Sequence, residues 1–375
     1  MAVIAVTKER RDAETRVALT PDTAKKLIAS GFSVIVESGA GASSYYPDAD
    51  YAAAGAELGD LAAVLGKAEI LFKVRGPTAP EIAGLKAGAI VVGMLNPHQD
   101  KATLEALAAQ GISAFSMEFV PRITRAQVMD VLSSQANLAG YRAVLEATHA
   151  YGKVLPMMMT AAGTVAAAKV FVMGAGVAGL QAIATARRLG AVVTATDVRP
   201  AAKEQVESLG AKFVAVEDEE FKAAETAAGY AKEMSAEYQA KQAALVSEHI
   251  RKQDIVITTA LIPGRPAPRL VSAAQAASMR PGSVIVDLAV EQGGNVEGVV
   301  AGEVSETGGV KIVGYANLPG RIAADASALY ARNLFAFAGL FLNKDGAFAP
   351  DFEDEILKAA LVTQGGAVVH PALAR

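Results

Sequence analysis

The sequence has no cysteine and only four histidines in 375 residues. Without cysteine there is no disulfide framework, no thiolate nucleophile and no Cys-ligated zinc. His98, His149, His249 and His370 stand far apart in the chain, so no metal site is expected. An excess of charge of one sign is also lacking. The 35 Lys and Arg are interspersed with 39 Asp and Glu for a net charge of -4, which gives no basic face for nucleic acid. The amino terminus, MAVIAVTKERR, has no secretory pattern. The most apolar helical stretch, around residues 334–342, is shorter than the roughly 20 residues a membrane span needs. The expectation is a soluble chain whose membrane role, if any, comes through partners.

What is present is length and short apolar runs. A single core stops growing near roughly 250–300 residues, so two domains are expected. Hydrophobic residues make up 52% of the chain, mostly Ala, Val, Leu and Ile in runs that do not alternate with polar residues, as strands covered on both faces require. The first third alternates strand-like runs (AVIAVTK, FSVIVESG, ILFKVR, AIVVGML, ISAFSM) with helical segments. Residues 124–151 then read as one long helix capped by Thr124. A second alternating set follows: KVFVMGAG, AVVTATDV, KFVAV, DIVITTA, SVIVDLA and KIVGYA. After Pro319 another long helix precedes a tail with a short helix and an extended end. The expected fold is α/β: two doubly wound, Rossmann-like parallel-sheet domains joined by long helices, with a cleft between them. The first domain takes residues 1–130 and 325–375. The second takes 131–324, with an insertion near 217–253.

The sharpest motif is Gly174-Ala175-Gly176-Val177-Ala178-Gly179, which follows the run KVFVM and opens a helix. Gly174 allows the tight turn, Gly176 lets a pyrophosphate approach the backbone, and Gly179 lets helix and strand pack closely. The helix start offers free N–H groups to phosphate. Asp197 ends the next run, VVTATD, about 18 residues on, near the spacing expected for the acid that binds the adenosine ribose. Its carboxylate would repel a 2′-phosphate, so NAD(H) is expected rather than NADP(H). Arg199, two residues later, is either a solvated side chain or a group that reaches a 2′-phosphate.

Three other segments stay open on the residues alone. Glu118, Arg122, Gln127, Asp130 and Ser133 form a dense polar group. It reads either as a solvated helix start with acids near its positive end or, lying between two α/β domains, as the place where a nicotinamide ring sits. The charged stretch 217–253 reads as an exposed helical insertion or as a lid over a ligand. LPMMMTAAGTVAAA, residues 155–168, reads as core packing or as an arm on another subunit.

Together PRITRAQVMDVLSSQANLAGYRAV, MMMTAAGTV, GAGVAGLQAIATARRLGA, TDVR, AKEQVESLG, GYAKEM, TTALIPG and PGSVIVDLAVEQGGN resemble the NAD(H)-binding domain I of proton-translocating transhydrogenases, within the superfamily shared with alanine dehydrogenase. The resemblance spans nearly the whole chain. It implies that Arg122 and Ser133 lie near the nicotinamide carboxamide, that Gln127 positions the ring, and that Asp130 orders the loop. It implies nucleotide contacts at Gly174, Gly176, Val177, Ala178, Gly179, Asp197, Val198, Arg199, Thr259, Ala260 and Leu261, with Tyr230 and Met234 closing over the nucleotide from a mobile lid. It further implies a homodimer clasped by residues 155–168. An NADP-binding domain and a membrane-spanning subunit would sit on separate chains, so NADP(H) would not bind here, and this chain would dock on the cytoplasmic side of the cell membrane. Alanine dehydrogenases look similar but carry His where this chain has Asn96 and Asp where it has Glu291. An amide cannot exchange the proton that an imidazole can, which argues against alanine chemistry although Arg16 and Lys73 remain. Alanine dehydrogenation is the alternative expectation, and a non-catalytic NAD sensor a third.

Overall fold

The central strands of both sheets form where the chain runs apolar without alternation. The computed structural model describes residues 1–222, 234–262 and 264–373. In chain order, β1 (Val3–Val6), β2 (Ser33–Glu37), β3 (Glu57–Gly59), β4 (Ile70–Arg75), β5 (Ile90–Met94) and β6 (Ser113–Ser116) are linked by α1 (Pro21–Ala29), α2 (Asp48–Ala53), α3 (Leu61–Lys67), α4 (Ala79–Gly84) and α5 (Lys101–Ala109). Local chemistry sets the helix starts: α1 opens on a Thr20–Thr23 capping box with Pro21 in its first turn.

The single helix expected over residues 124–151 is divided. Thr124–Met129 is a 3-10 turn, and α6 runs from Val131 to Ala150. Asp130 causes the break: its backbone leaves the helical region at ψ 88°, and its carboxylate accepts the Ser133 backbone N–H at 2.9 Å and the Ser133 hydroxyl at 2.5 Å. An aspartate that satisfies the free donors of a helix start is worth more as a cap than as an interior residue. Thr124 is therefore not the cap of the long helix.

After α6, β7 (Met158–Thr160) and β8 (Gly163–Val165) form an antiparallel hairpin. Then come β9 (Lys169–Met173), α7 (Val177–Arg188), β10 (Val192–Thr196), α8 (Ala202–Ser208), β11 (Lys212–Phe213), α9 (Glu219–Lys222), α10 (Ala236–Ile250), β12 (Ile255–Thr258), α11 (Ala273–Ala277), β13 (Val284–Asp287), β14 (Val304–Thr307) and β15 (Val310–Val313). The chain ends through α12 (Ala323–Ala338), α13 (Glu355–Ala360), β16 (Leu361–Gln364) and β17 (Ala367–Val368). Two compact units result: Met1–Gln135 with Pro319–Arg375, and Ala136–Leu318.

The first unit's sheet runs β17-β16-β6-β5-β4-β1-β2-β3 and the second's β11-β10-β9-β12-β13-β15-β14. Both are doubly wound. Numbered within its own sheet, each reads 3-2-1-4-5 from one edge, with the order reversing between β1 and β4 and again between β9 and β12. Antiparallel strands are confined to the edges, where β16 pairs with β6, β17 with β16, and β14 with β15. The extended tail is thus part of the first sheet. One face of that sheet packs Val6, Phe72, Val92 and Phe115 against Tyr330, Leu334, Phe337 and Phe341. In the second unit Val170, Val172, Ile257 and Val286 pack with Ile183 of α7. Within the charged stretch 217–253, α10 buries Tyr238, Val246 and Ile250. A parallel connection from β11 to β12 needs such a covering helix.

Candidate functional site

Two groups of candidate residues lie in different units. In the second unit, the turn between β9 and α7 is built by steric necessity. Gly174 has φ +104°, and a Cβ there would meet Thr259 Oγ1 at 2.5 Å. A Cβ on Gly179 would lie 1.8 Å from the Gly174 carbonyl oxygen, so only glycine lets α7 start this close to the strand. Gly176, the residue before α7, is different: an added Cβ meets nothing within 4 Å, and no side chain caps the helix. The first amides of α7 are therefore offered to open space, the arrangement that receives a phosphate.

The rim of this turn is built from β10 and β12. Asp197 accepts the Ala175 backbone N–H at 2.7 Å, which ties the strand end to the glycine turn. Arg199 folds onto the same carboxylate, Nε to Oδ1 at 2.9 Å and Nη2 to Oδ2 at 3.0 Å. Thr259 donates to the Gly174 carbonyl at 3.1 Å. Apolar side chains flank the turn in the open: Val177, Val198, Leu261 and Ile262 are exposed. Ala178 and Ala260 contribute backbone, and Met234 is half-buried. Tyr230 lies outside the described residues.

Two further residues hold this turn and were not singled out from the sequence. Gly140 on α6 packs against the start of α7 so closely that a Cβ would lie 2.0 Å from the Ala178 carbonyl. Asn295, fully buried, accepts the Ala260 N–H at 3.0 Å and donates to the Ala260 and Pro268 carbonyls at 2.8 Å each. The glycines in LAGY and QGGN were the available signals, but neither predicts which backbone comes close.

In the first unit the polar group is only partly assembled. Asp130 and Ser133 are bonded to each other, whereas Arg122 and Gln127 are exposed. Gln127 lies in the 3-10 turn and Asp130 at its end, where the Asp130 backbone N–H returns to the Gln127 carbonyl. Asn333 of α12 fixes this turn, donating to the Val128 carbonyl at 2.8 Å and accepting from the Ser134 hydroxyl at 2.9 Å. Arg125 ties it to the start of α13 through Asp354 at 2.8 Å. Glu118 faces another way: it accepts the backbone N–H groups of Leu95 and Asn96 and the Ser116 hydroxyl, at 3.1, 2.8 and 2.6 Å. Loss of water raises its pKa above the usual carboxylate range, although these donors resist the shift.

Arg16 and Lys73 are buried and engaged. Arg16 pairs with Glu14 at 2.6 Å and donates to Gln135 at 2.8 Å. Burial pushes the Glu14 carboxyl up, but Arg16 and Arg75 outweigh it and bring its pKa down to about 2. Lys73 reaches Glu81 at 3.0 Å, Glu9 at 3.4 Å, the Thr7 hydroxyl at 3.1 Å and the Lys8 carbonyl at 3.0 Å. Asn96 takes a left-handed backbone, φ 50°, and Glu291 is exposed. Among the described residues no group of His, Asp or Glu is placed to hold a metal ion.

Of residues 155–168, Leu155 and Ala168 are buried in the second unit's core, whereas the hairpin 158–165 between them is exposed on both strands, with Met159 79% accessible. Among the described residues no helix is long and apolar enough to cross a membrane.

A doubly wound sheet with an open glycine turn at its switch point and an acid closing the next strand defines a dinucleotide-binding class of fold. Similarity to known proteins narrows this. Residues 5–139 match the alanine dehydrogenase/PNT N-terminal domain and residues 143–371 the alanine dehydrogenase/PNT C-terminal domain. An NAD(P) transhydrogenase subunit alpha protein of Rhodospirillum rubrum is 52% identical over 99% of this chain and 98% of its own length. The crystal structure of transhydrogenase from Sinorhizobium meliloti superposes with a TM-score of 0.90 at 58% identity, over 98% of this chain and 100% of that one. An L-alanine dehydrogenase structure superposes less closely, with a TM-score of 0.82 at 26% identity over 99% of this chain and 98% of that one. The chain belongs to the alanine dehydrogenase/PNT family.

Proposed function

We propose that this chain is the NAD(H)-binding component of a proton-translocating NAD(P) transhydrogenase, exchanging hydride between NAD(H) bound here and NADP(H) on a partner domain. The observation that carries this reading is the turn at residues 174–179. Two of its glycines are required by the protein's own packing, while Gly176 faces open space with uncapped amides behind it. Those amides bind the pyrophosphate, and Asp197 takes the adenosine ribose. Val177, Ala178, Val198, Thr259, Ala260 and Leu261 complete the adenosine side, Arg199 flanks it through its pair with Asp197, and Tyr230 and Met234 belong to a lid that closes over it.

The loop from Arg122 to Ser133 serves the reacting end. Arg122 and Ser133 address the carboxamide and Gln127 orients the ring. Asp130 fixes the loop, a role its bonds to Ser133 support. Hydride passes directly between two nicotinamide C4 atoms, so no general acid or base is required. What the protein supplies is alignment to about 3–3.5 Å and exclusion of water. The segment 155–168, through its exposed, methionine-bearing hairpin at 158–165, clasps a second copy. Proton movement belongs to a membrane-spanning partner, on whose cytoplasmic face this chain sits.

The test is reconstitution. The isolated chain is expected to bind NADH and to reduce no NADP analogue alone, then to transfer hydride when mixed with an NADP-binding partner domain. Absence of transfer in that mixture counts against the proposal, and NADH oxidation by pyruvate with ammonia would replace it with amino-acid dehydrogenation.

A further inference from the structure

The carboxylate that should receive the adenosine ribose is already fully engaged. Asp197 accepts four hydrogen bonds: from the Ala175 backbone at 2.7 Å, the Arg199 backbone at 2.9 Å, Arg199 Nε at 2.9 Å and Arg199 Nη2 at 3.0 Å. A carboxylate offers about four acceptor positions. The two backbone bonds shape the glycine turn. The two guanidinium bonds form a bidentate fork from a side chain that is one-third exposed, against a carboxylate only 7% exposed.

We propose that Arg199 is a latch on the ribose subsite, one that lowers affinity for NAD(H) and softens discrimination against NADP(H). The proposal rests on the NAD(H) reading above. A ribose cis-diol that donates to Asp197 must take the positions held by Nε and Nη2, so the arginine and the cofactor compete for one acceptor. The latch also acts on charge. With the fork closed, the carboxylate that would repel a 2′-phosphate is neutralised by a cation beside it, and a guanidinium displaced from Asp197 is a natural partner for that phosphate. Arg199 therefore acts against NAD(H) and in favour of NADP(H), and removing it moves the two affinities in opposite directions. Such a lowered hold suits a nucleotide that must leave after every hydride exchange.

The experiment measures dissociation constants of NADH and NADPH for the full chain by calorimetry, in the native sequence, Arg199→Ala and Arg199→Lys. Since Arg199 is partly exposed, Arg199→Ala is expected to bind NADH about fivefold more tightly and NADPH about fivefold more weakly. Arg199→Lys, which keeps the charge without the fork, should fall between. Equal thermal melting of the three proteins confirms that the turn is intact. Weaker NADH binding in Arg199→Ala would make the guanidinium a direct ligand of the nucleotide and overturn the latch, as would unchanged constants for both nucleotides. A native chain that binds neither nucleotide overturns the NAD(H) reading itself, and the latch with it.

Discussion

The two units place the same strand order in the same chain and fill the crest of the sheet in opposite ways. After β1 the turn carries Thr7, Lys8, Glu9 and Arg10, and after β9 it carries Gly174, Ala175 and Gly176. In each unit an acid at the end of the second strand accepts a backbone N–H from that turn: Glu37 from Lys8 at 2.8 Å, Asp197 from Ala175 at 2.7 Å. Each acid also pairs with an arginine, Glu37 with Arg10 and Asp197 with Arg199. The first unit then closes its switch point with Lys73, whose charge is satisfied by Glu81 and Glu9. The second leaves its switch point open at Gly176. The fold is thus permissive, and the side chains of one turn decide whether a sheet's crest is an interior ion network or an open glycine turn.

The contrast breaks most readily at Lys73. Lys73→Met strands Glu9 and Glu81 in the interior, and urea unfolding should show a loss of about 3–5 kcal/mol. An unchanged unfolding midpoint would mean that the network is not what fills the first crest. Acid is the next lever. Glu14 has a pKa near 2 in the folded chain against an ordinary 4.5. Because its folded pKa is depressed, its contribution is whole above about pH 4.5 and is lost as pH falls toward 2. That amounts to about 3 kcal/mol, readable as a falling urea midpoint that Glu14→Gln flattens. The smallest stability effects belong to the second unit and separate its glycines. Gly179→Ala should cost about 1–3 kcal/mol by forcing α7 off the strand, and should abolish NADH binding. Gly176→Ala should cost no more than about 1 kcal/mol, yet weaken NADH at least tenfold by calorimetry.

The second crest was readable in the sequence because its determinants are local: a strand, three glycines and an acid within 29 residues. The first was not, since Lys73 meets Thr7 and Glu9 across more than 60 residues. A lysine inside the apolar run ILFKVR was a clue that carboxylates must lie nearby. The break at Asp130 was missed because a helical period continues through it, while its cap bonds and the grip of Asn333 on Val128 arise only once α12 has packed. The hairpin at 158–165 and the strand β14 escaped because neither is a buried apolar run.

A crystal structure of the full chain with NADH tests the central claim most directly. The account predicts pyrophosphate oxygens within hydrogen-bond reach of the amides at the start of α7 and the adenosine ribose against Asp197. Nucleotide density elsewhere, with the turn at Gly176 empty, would contradict it.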